Sequence, residues 1–172
     1  MTATTGNTLA LLQSVQALIL ANTGSAFAAL SAADAARYGV SRAVFVGAPK
    51  EYKDGYLPQC HIIPEADLVA VSGGASRVED VVTCRVRVVV DFSDWWAAEQ
   101  AVLAIRDQLL ALFATHVRGG AAAGGAVVAL DVDPKQRGGE FQTVQVAGVW
   151  YRSWSVLIEV EQVYVPSSGY QP

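Results

Sequence analysis

Charge is scarce in this sequence. Asp, Glu, Lys and Arg make up only 16% of the 172 residues, against a usual share of about a quarter. Hydrophobic residues make up 52%. A chain so short of charge has little with which to cover a free monomer, so the balance points to an oligomer whose interfaces hide apolar surface. Many of the apolar residues are alanines, which the surface of a free monomer also tolerates. Positive charge is the scarcer sign, with 12 Lys and Arg to 16 Asp and Glu, a net charge of −4. No basic stretch occurs, which argues against a dedicated duplex-DNA reader. An acidic ring through which DNA slides stays open.

Cysteine and histidine are equally sparse, with two of each. Cys60 and Cys84 form no CxxC pair, and the sequence clusters too few ligands for zinc. Two free thiols in a reducing cytosol are the favoured reading, and spacing leaves a Cys60–Cys84 disulfide possible. His61 follows Cys60 directly. Neighbours on a strand point to opposite faces, which is poor geometry for a nucleophile and its base. His116 falls in the last turn of a predicted helix, where an imidazolium complements the dipole.

Catalytic and phosphate-binding motifs are missing as well. The glycine-rich stretches at Gly73-Gly74 and Gly119 to Gly125 fit neither GxxxxGK[ST] nor GxGxxG, and no GxSxG or HExxH occurs. Asp131 and Asp133 alternate as a metal pair could, but Pro134 beside them favours a solvated turn. The sequence implies no catalytic residue, no cofactor and no metal. Long apolar runs are absent too. Leu9 to Leu20 is interrupted by Gln13, Ser14 and Gln16 and is too short to span a bilayer, and Met1 to Asn7 lacks a basic region. The expectation is a soluble intracellular protein with no signal peptide and no membrane segment.

What is present reads as one domain over residues 1–172, with 1–7 and 166–172 as tails. Behind a Thr8 cap, Leu11, Leu12, Val15, Leu18 and Ile19 recur at helical spacing. Ser25 to Tyr38 could form a second short helix. Arg42 to Val46, Cys60 to Ile63 and Leu68 to Ser72 read as short strands, with Pro64 ending the second. Val81 to Phe92 alternates with period two, which marks a half-buried antiparallel strand. Ser93 or Asp94 then caps a long amphipathic helix through about Val117, with Val102, Ile105, Leu109 and Leu112 on one stripe. Val127 to Val132 and Phe141 to Ala147 follow as strands. Gly148 breaks or bulges the pattern. Val149 to Val165 closes the chain as a strand whose phases mix near Tyr151, which suggests a bulge. The order is not βαβα, so the predicted class is α+β: an antiparallel or mixed sheet, one long amphipathic helix packed on it, and an N-terminal helix. Trp95, Trp96, Trp150 and Trp154 read as core or interface anchors.

Two segments should project, Lys50 to Tyr56 and Asp133 to Phe141. Both mix charge, glycine and an aromatic. Partner contacts are expected from Tyr52, Tyr56 and Phe141 as anchors, with Lys50, Lys53, Lys135 and Arg137 setting the electrostatic fit.

The element order carries a resemblance. A helix leads to a short strand and a G-x-P loop (Val44 to Pro49). A leucine-proline step with a strand follows (Leu57-Pro58 to Ile63), then a long strand into a capped helix (Val81 to Val117), then closing strands. Over roughly residues 8 to 165 this resembles the tail terminator, or tail completion, proteins of long-tailed bacteriophages. The resemblance implies a small α+β virion subunit, assembled in the host cytoplasm, that forms a homo-oligomeric ring, commonly a hexamer. It implies partners in the tail tube protein and the head-side connector, DNA passing through the lumen without specific recognition, and no enzymatic activity. Other neck or head-completion proteins share that outline. A small-molecule-binding or enzymatic domain around Cys60, His61 and the tryptophans is the alternative from another class.

Overall fold

The computed structural model describes residues 8–21, 44–49, 57–72, 77–115, 129–134 and 139–164. Helix α1 spans Thr8–Ala21, and its buried residues are the predicted stripe of Leu11, Leu12, Val15, Leu18 and Ile19. Strands β1 (Val44–Val46), β2 (Gln59–Ser72) and β3 (Arg77–Asp91) follow, then helix α2 (Trp95–Thr115) and strands β4 (Ala129–Pro134), β5 (Glu140–Val146) and β6 (Val149–Tyr164). The predicted helix at 25–38 lies outside the described residues.

The six strands form one mixed sheet in the order β1-β2-β3-β6, with β4 and β5 both paired to the far edge of β6. Among the described strand pairs only β1–β2 is parallel. The class is α+β, as the pattern of elements predicts. Both helices lie on one face. Their apolar stripes meet Val44, Cys60, Ile62, Val82, Cys84, Val86, Val88, Trp154, Val156, Ile158 and Val160 in a single buried core. Alternation in β3 and β6 generates this, since residues two apart share a face. Gln16 fastens α1 to the sheet edge, its Nε2 donating to the Val44 carbonyl at 2.7 Å.

Three local expectations are corrected. The predicted strands at 60–63 and 68–72 are one strand, and Pro64 does not end it. The register of β2 against β3 instead shifts between Pro64 and Ala66. A proline is tolerated at such an irregularity, and β1 pairs only with Cys60 to Ile62, so Pro64 has no ladder to break on that side. No bulge occurs at Tyr151, because β6 runs in unbroken register with β3 from Tyr151 to Tyr164. The mixed phases there come from burial on both faces: Tyr151, Ser153 and Ser155 are buried on one, Trp154 and Val156 on the other. Gly148 does break the strand pattern, by turning the chain back and not by a bulge. With Ala147 it forms a two-residue hairpin turn, φ 51° and 84°, closed by the Val146–Val149 pair. Two positive φ values give a turn whose twist matches that of the strands. Asp133 and Pro134, expected in a turn, end strand β4.

Strands β4 and β5 act as one interrupted edge. Pro134 opposes Ile158 and Glu140 opposes Ser155, so Val156 and Leu157 separate the two paired stretches along β6. Gly139 returns the chain to the sheet at φ 67°. A β-carbon there would strike the Trp154 indole and the Ser155 carbonyl, so glycine is required.

Candidate assembly surfaces

The corner between β3 and α2 is held by two carboxylates. Asp91 accepts from the Ser93 hydroxyl at 2.6 Å and from the Ser93 N–H at 3.1 Å. The Ser93 side chain, with the Ser93 and Phe92 backbone, holds the Asp91 carboxyl below its ordinary range. Asp94, not Ser93, is the cap: its Oδ1 accepts from the N–H groups of Trp96 and Ala97 at 2.9 and 3.1 Å. This cap starts the helix so that Ala98, Val102, Ile105, Leu109 and Phe113 face the core. Trp95 and Trp96 then fall off that stripe and are 59% and 61% exposed, their rings 5.9 Å apart.

A third tryptophan joins them at this end of the molecule. Arg152 of β6 grips Glu99 one turn into α2 through two contacts, Nε to Oε2 at 2.8 Å and Nη2 to Oε1 at 3.2 Å. Trp150 lies one pleat beyond Arg152 on the same sheet face and is 52% exposed. Beneath them Phe141 is capped by two guanidinium groups, Arg152 at 5.5 Å and Arg106 at 5.9 Å from its ring centre. On the other flank of α2 a cleft of about 230 Å³ opens between the first two helical turns and the Leu57-Pro58 step, with Asp91 and Asp94 on its wall.

The sheet face opposite the helices has another character. Neighbouring strands align Phe45, His61, Arg87, Ser155 and Glu140 in one row across the sheet. Phe45 stacks on His61 at 5.1 Å, and Gln59 Oε1 accepts from His61 Nε2 at 3.2 Å. Burial, with a smaller push from Arg87, lowers the His61 pKa to about 4, although a backbone hydrogen bond to Gly47 pulls it up. Arg85 donates to Glu65 at 2.7 Å and to Ser155 Oγ at 3.4 Å. The buried Arg87 Nε has no hydrogen-bond partner among the described residues.

Cys60 and His61 do face opposite sides. Cys60 is in the core, and both cysteines are free and buried. Cys60 pairs with Val88 and Cys84 with Pro64, so the two thiols are not opposed. Burial raises the Cys60 pKa far above its ordinary value and pushes Cys84 up to about 12, which keeps both as unreactive thiols. Among the described residues no group of three or more His, Cys, Asp or Glu could hold a metal. Nor is any described helix long and apolar enough to cross a membrane.

Of the residues expected to contact partners, Lys50, Tyr52, Lys53, Tyr56, Lys135 and Arg137 lie outside the described residues. Phe141 is described, and it sits in β5, half-buried against the core, not at a projecting tip. The tryptophans divide: Trp154 is wholly buried, and the other three are exposed. A signal for part of this is in the sequence, since Trp95 and Trp96 fall outside the 98-102-105-109 stripe. The cleft has no such signal, because Leu57 and Ala97 are far apart in the chain. No protein-family model and no curated protein matches this chain.

Proposed function

We propose that this chain is a structural assembly subunit, not an enzyme, and specifically a ring-forming tail terminator. Its ring would cap the tail tube of a long-tailed bacteriophage and offer its other face to the head-side connector. One observation carries the reading: three tryptophans, each more than half exposed, gather at one end of a chain that has little charge. Exposed aromatic clusters of this kind anchor protein–protein contacts. The action would be mechanical. One face of the ring copies the tube's own subunit contact and the other lacks it, so growth stops and the head docks. DNA would pass through the lumen without being read.

Two placements favour this reading over the ligand-binding alternative. Cys60 and His61 face opposite sides of the sheet, and the exposed tryptophans lie on the helix-bearing side, away from His61. Mass photometry of the purified chain tests the ring reading, with a closed oligomer as the expected species. Added to growing tail tubes, the oligomer should stop elongation and appear at one end of each tube in electron micrographs. A chain that stays monomeric and leaves tube length unchanged overturns the reading.

A further inference from the structure

Resting on the ring reading, we infer that copies of this chain join head to tail through the start of α2, the tryptophan flank of one copy seating in the cleft of the next. At 3.6 residues per turn, Trp95, Glu99 and Arg106 project to one side of the core-facing stripe, and Asp94, Ala97 and Ala101 to the other. The contacts agree. Glu99 reaches Arg152 of β6, and Arg106 covers Phe141 of β5. Asp94, Ala97 and Ala101 instead line the cleft, with Leu57, Pro58 and Asp91. Because β2 and β5 lie on opposite sides of the β3–β6 pair, the two flanks look in opposite directions across the sheet.

The flanks are complementary. One presents large aromatic side chains, Trp95 and Trp150, and the other a hollow floored by alanines with room for one aromatic side chain. On the tryptophan flank Arg152 is paired with Glu99 and Arg106 with Asp107, so the charge that bears on the contact is at the cleft, where Asp91 and Asp94 stand. An indole N–H inserted there would point its positive edge at carboxylates. Two unlike patches on opposite flanks make a heterologous contact, which repeats in one direction and closes into a ring when the rotation permits. A two-fold dimer would need the ridge and the cleft of one copy to face the same partner at once, and patches that look in opposite directions do not.

Two variants separate the halves of the contact. Trp95→Ala with Trp150→Ala removes the ridge and keeps the cleft. Ala97→Arg fills the cleft and keeps the ridge. All three positions are exposed, so both variants should keep the wild-type circular dichroism and melting temperature. Mass photometry of wild type, each variant and their equimolar mixture is the experiment. Wild type should form the ring. Each variant alone should be monomeric at the same concentration, its self-association weakened about tenfold or more. The mixture should form dimers of one copy of each and stop there, because only one productive contact remains. If wild type forms the ring and both variants do so equally well, this interface is wrong and the ring reading stands. Monomeric variants that form no mixed dimer overturn the head-to-tail arrangement. A wild type that never self-associates overturns both.

Discussion

The two faces of the sheet are both buried in their central part, but for different reasons. On the helix side Val82, Cys84, Val86, Val88, Trp154, Val156, Ile158 and Val160 meet α1 and α2, and the burial is apolar throughout. On the other side the buried residues are Gln59, His61, Val89, Tyr151, Ser153 and Ser155. One face is held by packing density, where every missing methylene is felt. The other depends on satisfied polar groups: Gln59 on His61, Arg85 on Glu65 and Ser155, and the Ser153 hydroxyl on the Gln142 carbonyl at 3.2 Å. The contrast teaches that strict alternation in β3 and β6 does not imply one wet face. It marks where the chemistry changes, not where water begins.

The largest expected effect comes from cutting into the apolar face. Leu109 is fully buried at the middle of the α2 stripe. Leu109→Ala should cost about 2–5 kcal/mol of unfolding free energy, transfer and cavity together. Urea denaturation measures it, and a loss under about 0.5 kcal/mol, the range of ordinary surface substitutions, would place the stripe against solvent.

Acid should expose the polar face next. His61 has a folded-state pKa of about 4 against an ordinary 6.5. Above pH 6.5 the ring is neutral both folded and unfolded and contributes nothing to the pH dependence. Between pH 6.5 and 4 the unfolded chain takes up a proton that the folded chain refuses, so stability falls as pH falls. At about 1.4 kcal/mol per pKa unit the loss reaches on the order of 3 kcal/mol near pH 4. Carboxylates add their own acid sensitivity, so the measurement is the difference between wild type and His61→Gln across that window. Equal slopes for the two proteins would show that His61 titrates normally.

These regions were not equally legible in the sequence. The apolar stripes of α1 and α2 and the alternation of β3 follow from period alone, because one repeat of spacing meets one layer of core. The opposed directions of Cys60 and His61 follow from the strand pleat in the same way. The polar face did not follow, since its members are collected by register from β2, β3, β5 and β6, and no local pattern states which residue opposes which. The same holds for the cleft beside α2, for the register shift that absorbs Pro64, and for the return at Gly139, which is dictated by the Trp154 indole above it.

A smaller effect tests how far the polar face tolerates change. The Ser155 hydroxyl accepts from Arg85 at 3.4 Å, a long contact, while Arg85 keeps its closer partner Glu65. Ser155→Ala should therefore cost under about 1 kcal/mol in thermal or urea unfolding, within the net value of one weak hydrogen bond. A loss comparable to that of Leu109→Ala would mean that this face is as tightly determined as the apolar one.

The smallest expected effect has the opposite sign, at the hairpin that fixes which residues reach which face. Strands β5 and β6 meet at Ala147-Gly148, and both residues have positive φ. Gly148 takes that conformation freely, but Ala147 places its β-carbon against the backbone at a cost of about 1 kcal/mol. Ala147→Gly removes this strain and gives the turn the residue type it favours, while the greater freedom of glycine in the unfolded chain returns part of the gain. The net expectation is a stabilisation of up to about 0.5 kcal/mol. The stake is larger than the number. A slip of one residue at this turn would exchange Val144 and Val146, which pack beside Tyr151 on the polar face, with Thr143 and Gln145 on the helix side. Hydrogen exchange of the β5 amides reads the outcome directly: Ala147→Gly should slow it while the β2–β3 amides keep their wild-type rates. Faster exchange in β5 would show that the alanine, despite its strain, holds the register better than glycine does.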